Sequence, residues 1–385
     1  MSVKVDLVYI AAGGGHRASA LALQAAIVRA GLPWEVRLVN LRELLDPTDG
    51  FRRYTGLDPE DLYNQRIKRG WTAGLAQELK LLQAMIRWSH AALVRRLRSH
   101  WAATRPDMVV SLIPNFNRAL RASLAAARPQ APYVTVLTDL ADHPPHFWIE
   151  RGLDQHVVCG SDRAVQQARA AGCEPSRIHA TSGMLLRHGF HDPRDEQAHD
   201  SERAQRRAAG HGELGLDPRR TTGIVLFGGQ GARAMLDIAR RLHDVQLILA
   251  CGHNGKLAQA LRALPAQPGQ APRVVIGFTP EPERYMRLAD FFIGKPGPGS
   301  VSEAVQMQLP VIVACNRWTL PQERYNAQWV RAHGVGVVVP GFAKVREAVD
   351  AVVADLPAYR EATRRMRNRA AFEVPEILRK VLAQA

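Results

Sequence analysis

Short, continuous apolar runs alternate with helix-forming stretches along this chain, and several of the runs end in clustered glycines. This rhythm constrains the fold more than any other feature. Strands that are apolar throughout are buried on both faces, which calls for a parallel sheet covered by helices on either side. Residues 5–10, 34–39, 108–113, 133–138 and 156–159 read as strands of one such sheet. The rhythm lapses between Arg187 and Arg220, where seven arginines and seven acidic residues replace apolar runs. It resumes with 223–227, 246–251, 273–276, 291–293 and 310–315. The expected fold is α/β, with two doubly wound, Rossmann-like domains facing a cleft and ligands at the carboxyl ends of the strands. Residues 1–186 make the first domain, 187–220 a linker and the start of the second, 221–356 the second domain, and 357–385 a C-terminal helix packing back toward the first. Within the linker, 201–209 also reads as the first helix of the second domain.

Charge narrows the partners. With 51 Lys and Arg against 36 Asp and Glu, the 385 residues carry a formal charge of +15, which calls for an anionic partner: nucleic acid, anionic lipid or a phosphorylated substrate. No zinc-finger, RNP or clear helix-turn-helix pattern supports the first. No apolar run approaches the roughly 18–20 residues of a membrane span. The first apolar run follows a single lysine, Lys4, and has no small-residue cleavage site, so it reads as a buried strand and not a signal peptide. Cys159, Cys173, Cys251 and Cys315 are scattered without metal-ligand spacing, as structural thiols in a reducing cytosol would be. No metal site and no cofactor are expected.

Three glycine-rich turns follow strands and precede helices: Gly13-Gly14-Gly15 with His16, Gly228-Gly229-Gln230-Gly231, and the run from Gly294 to Ser300 that includes Gly297 and Gly299. Glycine lets backbone approach a ligand closely, and the exposed N–H groups of a helix start favour phosphate. Each turn alone also reads as a tight strand-to-helix connection, and none fits the P-loop or the spaced dinucleotide fingerprint. Three around one cleft point to a phosphorylated ligand. In the third, Gly299 and Ser300 offer N–H groups to a diphosphate, and Glu303, one turn on, suits a ribose; its alternative reading is compensation of the helix dipole. Gln322-Glu323, beyond the last of the predicted strands, pairs an amide with a carboxylate, a combination that suits sugar hydroxyls.

Together these segments resemble the monogalactosyldiacylglycerol synthase family of glycosyltransferases, which have the two-domain GT-B fold. The resemblance rests on GGGHRASA at 13–20, VTVLTDL at 134–140, GMLLRHGF at 183–190, FGGQG at 227–231, ACGHN at 250–254, the run 277–304 and PQERYNAQWV at 321–330. The second half is also similar to the GlcNAc transferase that makes lipid II. The resemblance implies that Phe278 and Thr279 cap the uracil of a UDP-sugar, that Glu303 binds the ribose, that Gly299 and Ser300 bind the phosphates, and that Gln322 and Glu323 contact the donor sugar. It places His16 where donor and acceptor meet, as the base that deprotonates an alcohol; the other reading of His16 is a loop-ordering or phosphate contact. Two positions depart from the family: Ala11 stands where plant members carry Asp, and Ile113-Pro114 where the family has His-Pro. Asp139 or Asp142 is then a candidate carboxylate beside His16, with turn capping as the alternative for each. No DxD pair for a metal-bound diphosphate is present.

The acceptor side is read from the first half. Between Glu78 and Asp107 there is no acid, but Lys80, Arg87, Arg95, Arg96, Arg98 and Arg105 interleave with Leu79, Leu82, Ile86, Leu93, Leu97 and Trp101. That basic amphipathic stretch suits an anionic membrane surface; equally, its apolar stripe packs on its own domain. The residues 144–148, rich in aromatic rings and proline, read as part of an acceptor mouth or as a packed loop. The expected activity is inverting transfer of a hexose from a UDP-sugar to diacylglycerol or a related lipid, by a peripheral protein on the cytoplasmic face of the cell membrane. A polyprenyl-linked or soluble acceptor, or a nucleotide-sugar-binding protein with little turnover, are the alternatives. Nucleic acid is not an expected partner.

Overall fold

The structure is a computed structural model that describes residues 2–10, 15–45, 83–192, 200–229 and 231–385. Strand β1 (Val3–Tyr9) is followed by helix α1 (Gly15–Arg29) and β2 (Trp34–Asn40). Helix α2 (His90–Thr104) leads to β3 (Met108–Ser111), β4 (Tyr133–Val136), β5 (His156–Cys159) and β6 (Ile178–Ala180). These strands pair in parallel in the order β2-β1-β3-β4-β5-β6. Helix α3 (Asp200–Glu213) precedes β7 (Thr222–Leu226), β8 (Gln246–Ala250), β9 (Arg273–Ile276) and β10 (Phe291–Gly294). Helix α4 (Pro298–Gln306), β11 (Val311–Ala314), helix α5 (Pro321–Ala332) and β12 (Gly336–Val339) complete the second sheet, also parallel, in the order β12-β11-β10-β7-β8-β9. The two-domain α/β architecture read from the apolar runs is the one observed.

Each order contains one reversal, between β1 and β3 in the first sheet and between β7 and β10 in the second. At such a switch point the connections leave in opposite directions and open a crevice at the strand ends. The segments that leave the strand ends at the two crevices carry His16, at the start of α1, and Leu112 on one side and Gly228 and Lys295 on the other.

The last helix, α6 (Ala370–Ala383), follows the second sheet in sequence but covers the first: Ala371, Val374, Leu378 and Val381 are buried in one cluster with Val5, Leu7, Val110 and Val134. The return crossing is tied to the outgoing one, since the Asn368 amide donates to the Met184 carbonyl at 2.7 Å. The charged segment after Arg187 is not only a linker. Its helix α3 docks on the second half, where Arg207 forms a bidentate ion pair with Asp290 and His211 Nε2 lies 2.9 Å from the Leu288 carbonyl. Arg207 is therefore partnered within the second half, which the loss of apolar rhythm concealed.

The basic stretch divides. In α2, Leu97 and Trp101 are buried in their own domain, with Trp101 Nε1 donating to Ser123 Oγ at 2.9 Å, so the stripe there packs inward. Residues 83–88 are helical, and on them Met85 and Trp88 are exposed, Trp88 at 92%. Leu79, Lys80 and Leu82 lie outside the described residues. No helix among the described residues is long and apolar enough to cross a membrane.

Candidate active site

The first-half wall of the cleft is built around His16, the second residue of α1. Gly13 and Gly14 of its loop lie outside the described residues; Gly15 has open space where a side chain would project. His16 Nδ1 lies 3.2 Å from Thr138 Oγ1, just beyond β4, and its ring stands 5.8 Å from that of Trp148. Burial lowers the His16 pKa to about 4, opposed by a hydrogen bond to the Leu112 backbone beyond β3. The imidazole is therefore neutral through the physiological range, with a lone pair available for a proton.

The two candidate carboxylates part company here. Asp142 accepts the backbone N–H of Trp148 at 2.6 Å and of His146 at 3.0 Å, so it closes the loop and takes the turn-capping role. Asp139 accepts Trp148 Nε1–H at 2.8 Å. Neither hydrogen-bonds His16; Thr138, adjacent to Asp139, does. Burial pushes the Asp139 carboxyl up to about 7, with the Trp148 hydrogen bond resisting; Glu323, from the opposite half, adds to the rise and Lys295 opposes it. Phe147 and Trp148 are both buried, so the aromatic run is a packed loop that supports this wall.

The second-half wall consists of glycine turns and one helix start. Gly228 and Gly231 take the left-handed backbone region, at φ 74° and 60°. Gly252 (φ 57°) sits so close beneath Gly229 that an added Cβ would fall 2.2 Å from its carbonyl oxygen, so the turns after β7 and β8 nest backbone to backbone. Gln230 lies outside the described residues. Gly297 caps α4 with extended backbone, and no side chain caps the helix, which leaves the N–H groups around Gly299 and Ser300 without a side-chain acceptor. This is the arrangement that accepts a phosphate.

Helix α5 holds that loop in place: Asn326 donates to the Pro296 carbonyl at 2.8 Å, and Glu323 Oε1 accepts from Lys295 Nζ at 2.7 Å. Gln322, half-buried, precedes Glu323 at the same helix start. Glu303 is half-buried one turn into α4; burial pushes its carboxyl up to about 7, with Arg187 opposing and Glu283 adding. Phe278 is 58% exposed and stacks on His253, centroids 4.1 Å apart and planes 16° from parallel. Thr279 Oγ1 accepts the Glu281 N–H at 3.1 Å, which holds the turn beside it. An aromatic face lying open at a cleft suits a planar base.

Sequence reasoning gave no individual role to Thr138, Trp148, His253, Lys295 or Asn326, although all five stand inside segments already singled out. The first four touch a named candidate, and Asn326 holds the Pro296 carbonyl of the third glycine turn. Among the described residues, no group of three or more His, Cys, Asp or Glu side chains is placed to hold a metal ion.

Comparison with known proteins bears on the family and the fold. The family model for monogalactosyldiacylglycerol synthase matches residues 61–183, and that for the glycosyltransferase family 28 C-terminal domain matches 223–381. The chain is 27% identical to monogalactosyldiacylglycerol synthase 1, chloroplastic, of Arabidopsis thaliana, over 98% of this chain and 70% of that protein. It is 28% identical to probable monogalactosyldiacylglycerol synthase 2, chloroplastic, of Oryza sativa subsp. japonica, over 84% and 68%. Among solved structures, MurG of Acinetobacter baumannii superposes with a TM-score of 0.60 at 13% identity, covering 99% of this chain and all of that one. A UDP-GlcNAc 2-epimerase from Neisseria meningitidis, bound to UDP-GlcNAc, superposes nearly as well, with a TM-score of 0.59 at 11% identity, covering 100% of each chain. The shared architecture alone therefore does not separate transfer from other chemistry; the two family matches do.

Proposed function

We propose that this chain, matched by the monogalactosyldiacylglycerol synthase and glycosyltransferase family 28 C-terminal models and similar in fold to MurG, moves a hexose from a UDP-sugar to the hydroxyl of diacylglycerol or a related lipid, with inversion. The observation that carries this reading is the pairing, across one cleft, of a neutral, half-buried histidine with an uncapped helix start between glycine turns. The first supplies a base and the second a seat for a diphosphate.

In this reading the uracil stacks on Phe278 with Thr279 beside it, the ribose hydroxyls meet Glu303, and the diphosphate sits on the N–H groups of Gly299 and Ser300 with the turn at Gly228 and Gly229 opposite. Gln322 and Glu323 hold the sugar. The acceptor oxygen attacks the anomeric carbon from the face opposite the diphosphate, and its proton passes to His16. The helix start favours the charge that gathers on the leaving UDP.

The acceptor is drawn from a membrane surface. Trp88 and Met85 are exposed, and so are Arg87, Arg95, Arg96 and Arg98 close to them in sequence; apolar and basic side chains open to solvent suit a peripheral contact with anionic lipid on the cytoplasmic face. Calorimetric titration with UDP, GDP and ADP, followed by sugar transfer to diacylglycerol vesicles, tests the reading: tight binding of UDP alone and label in lipid support it. Binding of none of the three refutes it.

A further inference from the structure

The lysine of the third glycine turn is the residue that the fold places most centrally and that the reading above leaves without a task. Lys295 follows β10 at the switch point of the second sheet. Its Cε lies 3.3 Å from the point a Cβ on Gly297 would occupy and 4.0 Å from the corresponding point on Gly228. The stem thus runs between the two turns that flank the diphosphate seat, and a side chain at 297 would press on it. Its ammonium meets Glu323, whose side chain is only 9% exposed against 35% for the lysine. Its charge also reaches across the cleft to Asp139.

We infer that Lys295 is a catalytic residue that exchanges partners when donor binds: its ammonium leaves Glu323 for the diphosphate, and the freed carboxylate accepts hydrogen bonds from the donor sugar. This inference rests on the nucleotide-sugar reading of the site. A lysine bound to a carboxylate is electrically spent, but a diphosphate between the turns at Gly228 and Gly297 lies within the sweep of its flexible stem and carries more charge than Glu323. In the transfer step the bond between the anomeric carbon and the β-phosphate oxygen breaks, and its electron pair stays on that oxygen. The acceptor oxygen bonds to the carbon and its proton goes to His16. Lys295 stays protonated throughout and offsets the charge that the phosphate gains. The pairing with Glu323 links the two events, so that the sugar is gripped only when a diphosphate is present.

The test compares calorimetric binding of UDP and of uridine to the unaltered protein and to Lys295→Met, Lys295→Arg and Glu323→Gln. Lys295→Met is expected to weaken UDP about 10- to 100-fold, the range for loss of a hydrogen bond between charged groups, and to leave uridine unchanged. Retained uridine binding also reports an intact fold. Lys295→Arg is expected to keep most of the UDP affinity, and Glu323→Gln to keep or tighten it, because the ammonium is released. Should Lys295→Met leave the lysine variant unstable, Lys295→Met with Glu323→Gln removes both charges together and is expected to show the same selective loss of UDP. Equal UDP affinity in Lys295→Met, or equal weakening by Lys295→Met and Glu323→Gln, overturns the inference, since the lysine then only holds Glu323 in place. Failure of the unaltered protein to bind UDP overturns the nucleotide reading itself and takes this inference with it.

Discussion

His16 Nδ1 and Thr138 Oγ1 lie 3.2 Å apart, joining the start of α1 to the end of β4 across the switch point of the first sheet. The base in the proposed reaction is thereby oriented by a hydroxyl. Removing the imidazole, as in His16→Ala, is expected to lower kcat about 10²- to 10⁴-fold while UDP affinity stays close to that of the unaltered protein. Steady-state kinetics alongside calorimetry checks this; a parallel loss of UDP binding would reassign His16 to the phosphate seat.

The acid side of the pH profile follows from the same residue. Burial lowers the His16 pKa from 6.5 to about 4. A group depressed in the folded state contributes stability that is present above its unfolded pKa and lost as pH falls through the folded one. Stability is therefore expected to decline from pH 6.5 toward 4 on account of His16, by up to about 3 kcal/mol at 1.4 kcal/mol per pH unit. His16→Gln should flatten that part of a urea-unfolding series. A slope unchanged by the substitution would show that the ring is not buried as described.

Glu303 has the opposite sign. Its carboxyl is raised from 4.5 to about 7, chiefly by burial, so its contribution is complete below pH 4.5 and is lost as pH rises through 7. Glu303→Gln is expected to be neutral at pH 4 and stabilising at pH 8, by on the order of 1–3 kcal/mol. UDP binding at pH 8 should weaken at the same time by about 1.5–3 kcal/mol as the ribose loses a charged acceptor. Gain of stability with loss of binding marks a residue kept for its ligand; loss of both would mark one kept for the fold.

Phe278 offers a cleaner separation. Because its ring is exposed, Phe278→Ala is expected to change unfolding free energy by less than about 0.5 kcal/mol, yet to cost about 1–3 kcal/mol of UDP affinity through the lost stacking surface. Unchanged UDP binding would place the base elsewhere.

At the membrane, Met85→Ser with Trp88→Ser is expected to reduce co-sedimentation with phosphatidylglycerol vesicles and to leave UDP binding intact. Reversing Arg95, Arg96 and Arg98 to Glu should act in the same direction, at about 1 kcal/mol for each basic residue lost, and added salt should weaken what remains. Equal binding to neutral and anionic vesicles would mean that these arginines only face solvent.

The parallel sheets were legible because β3, β4, β8 and β10 are apolar at nearly every position, with one polar residue at most in each. Strands β6 and β12 escaped notice because their apolar runs are short: Ile178–Ala180 carries a histidine and an exposed alanine, and Gly336–Val339 opens on a glycine. The second-half wall was readable as backbone from its glycine turns, since Gly228 and Gly231 take a conformation that few other residues adopt. The partners of His16 were not. Aspartates 139 and 142 look alike in sequence, and only the fold shows one capping a loop while the other holds an indole, leaving the imidazole to Thr138. The basic stripe likewise mixes residues that pack, Leu97 and Trp101, with residues that do not, Met85 and Trp88, at one helical period.

Transfer of radiolabel from a UDP-hexose into chloroform-soluble lipid tests the account most directly. UDP-galactose and UDP-glucose are presented with diacylglycerol in phosphatidylglycerol vesicles, to the unaltered protein and to His16→Ala. The account expects labelled glycolipid of inverted anomeric configuration from at least one donor and its near-complete loss in the variant. No lipid product from either donor despite tight UDP binding, or undiminished product from His16→Ala, would contradict it.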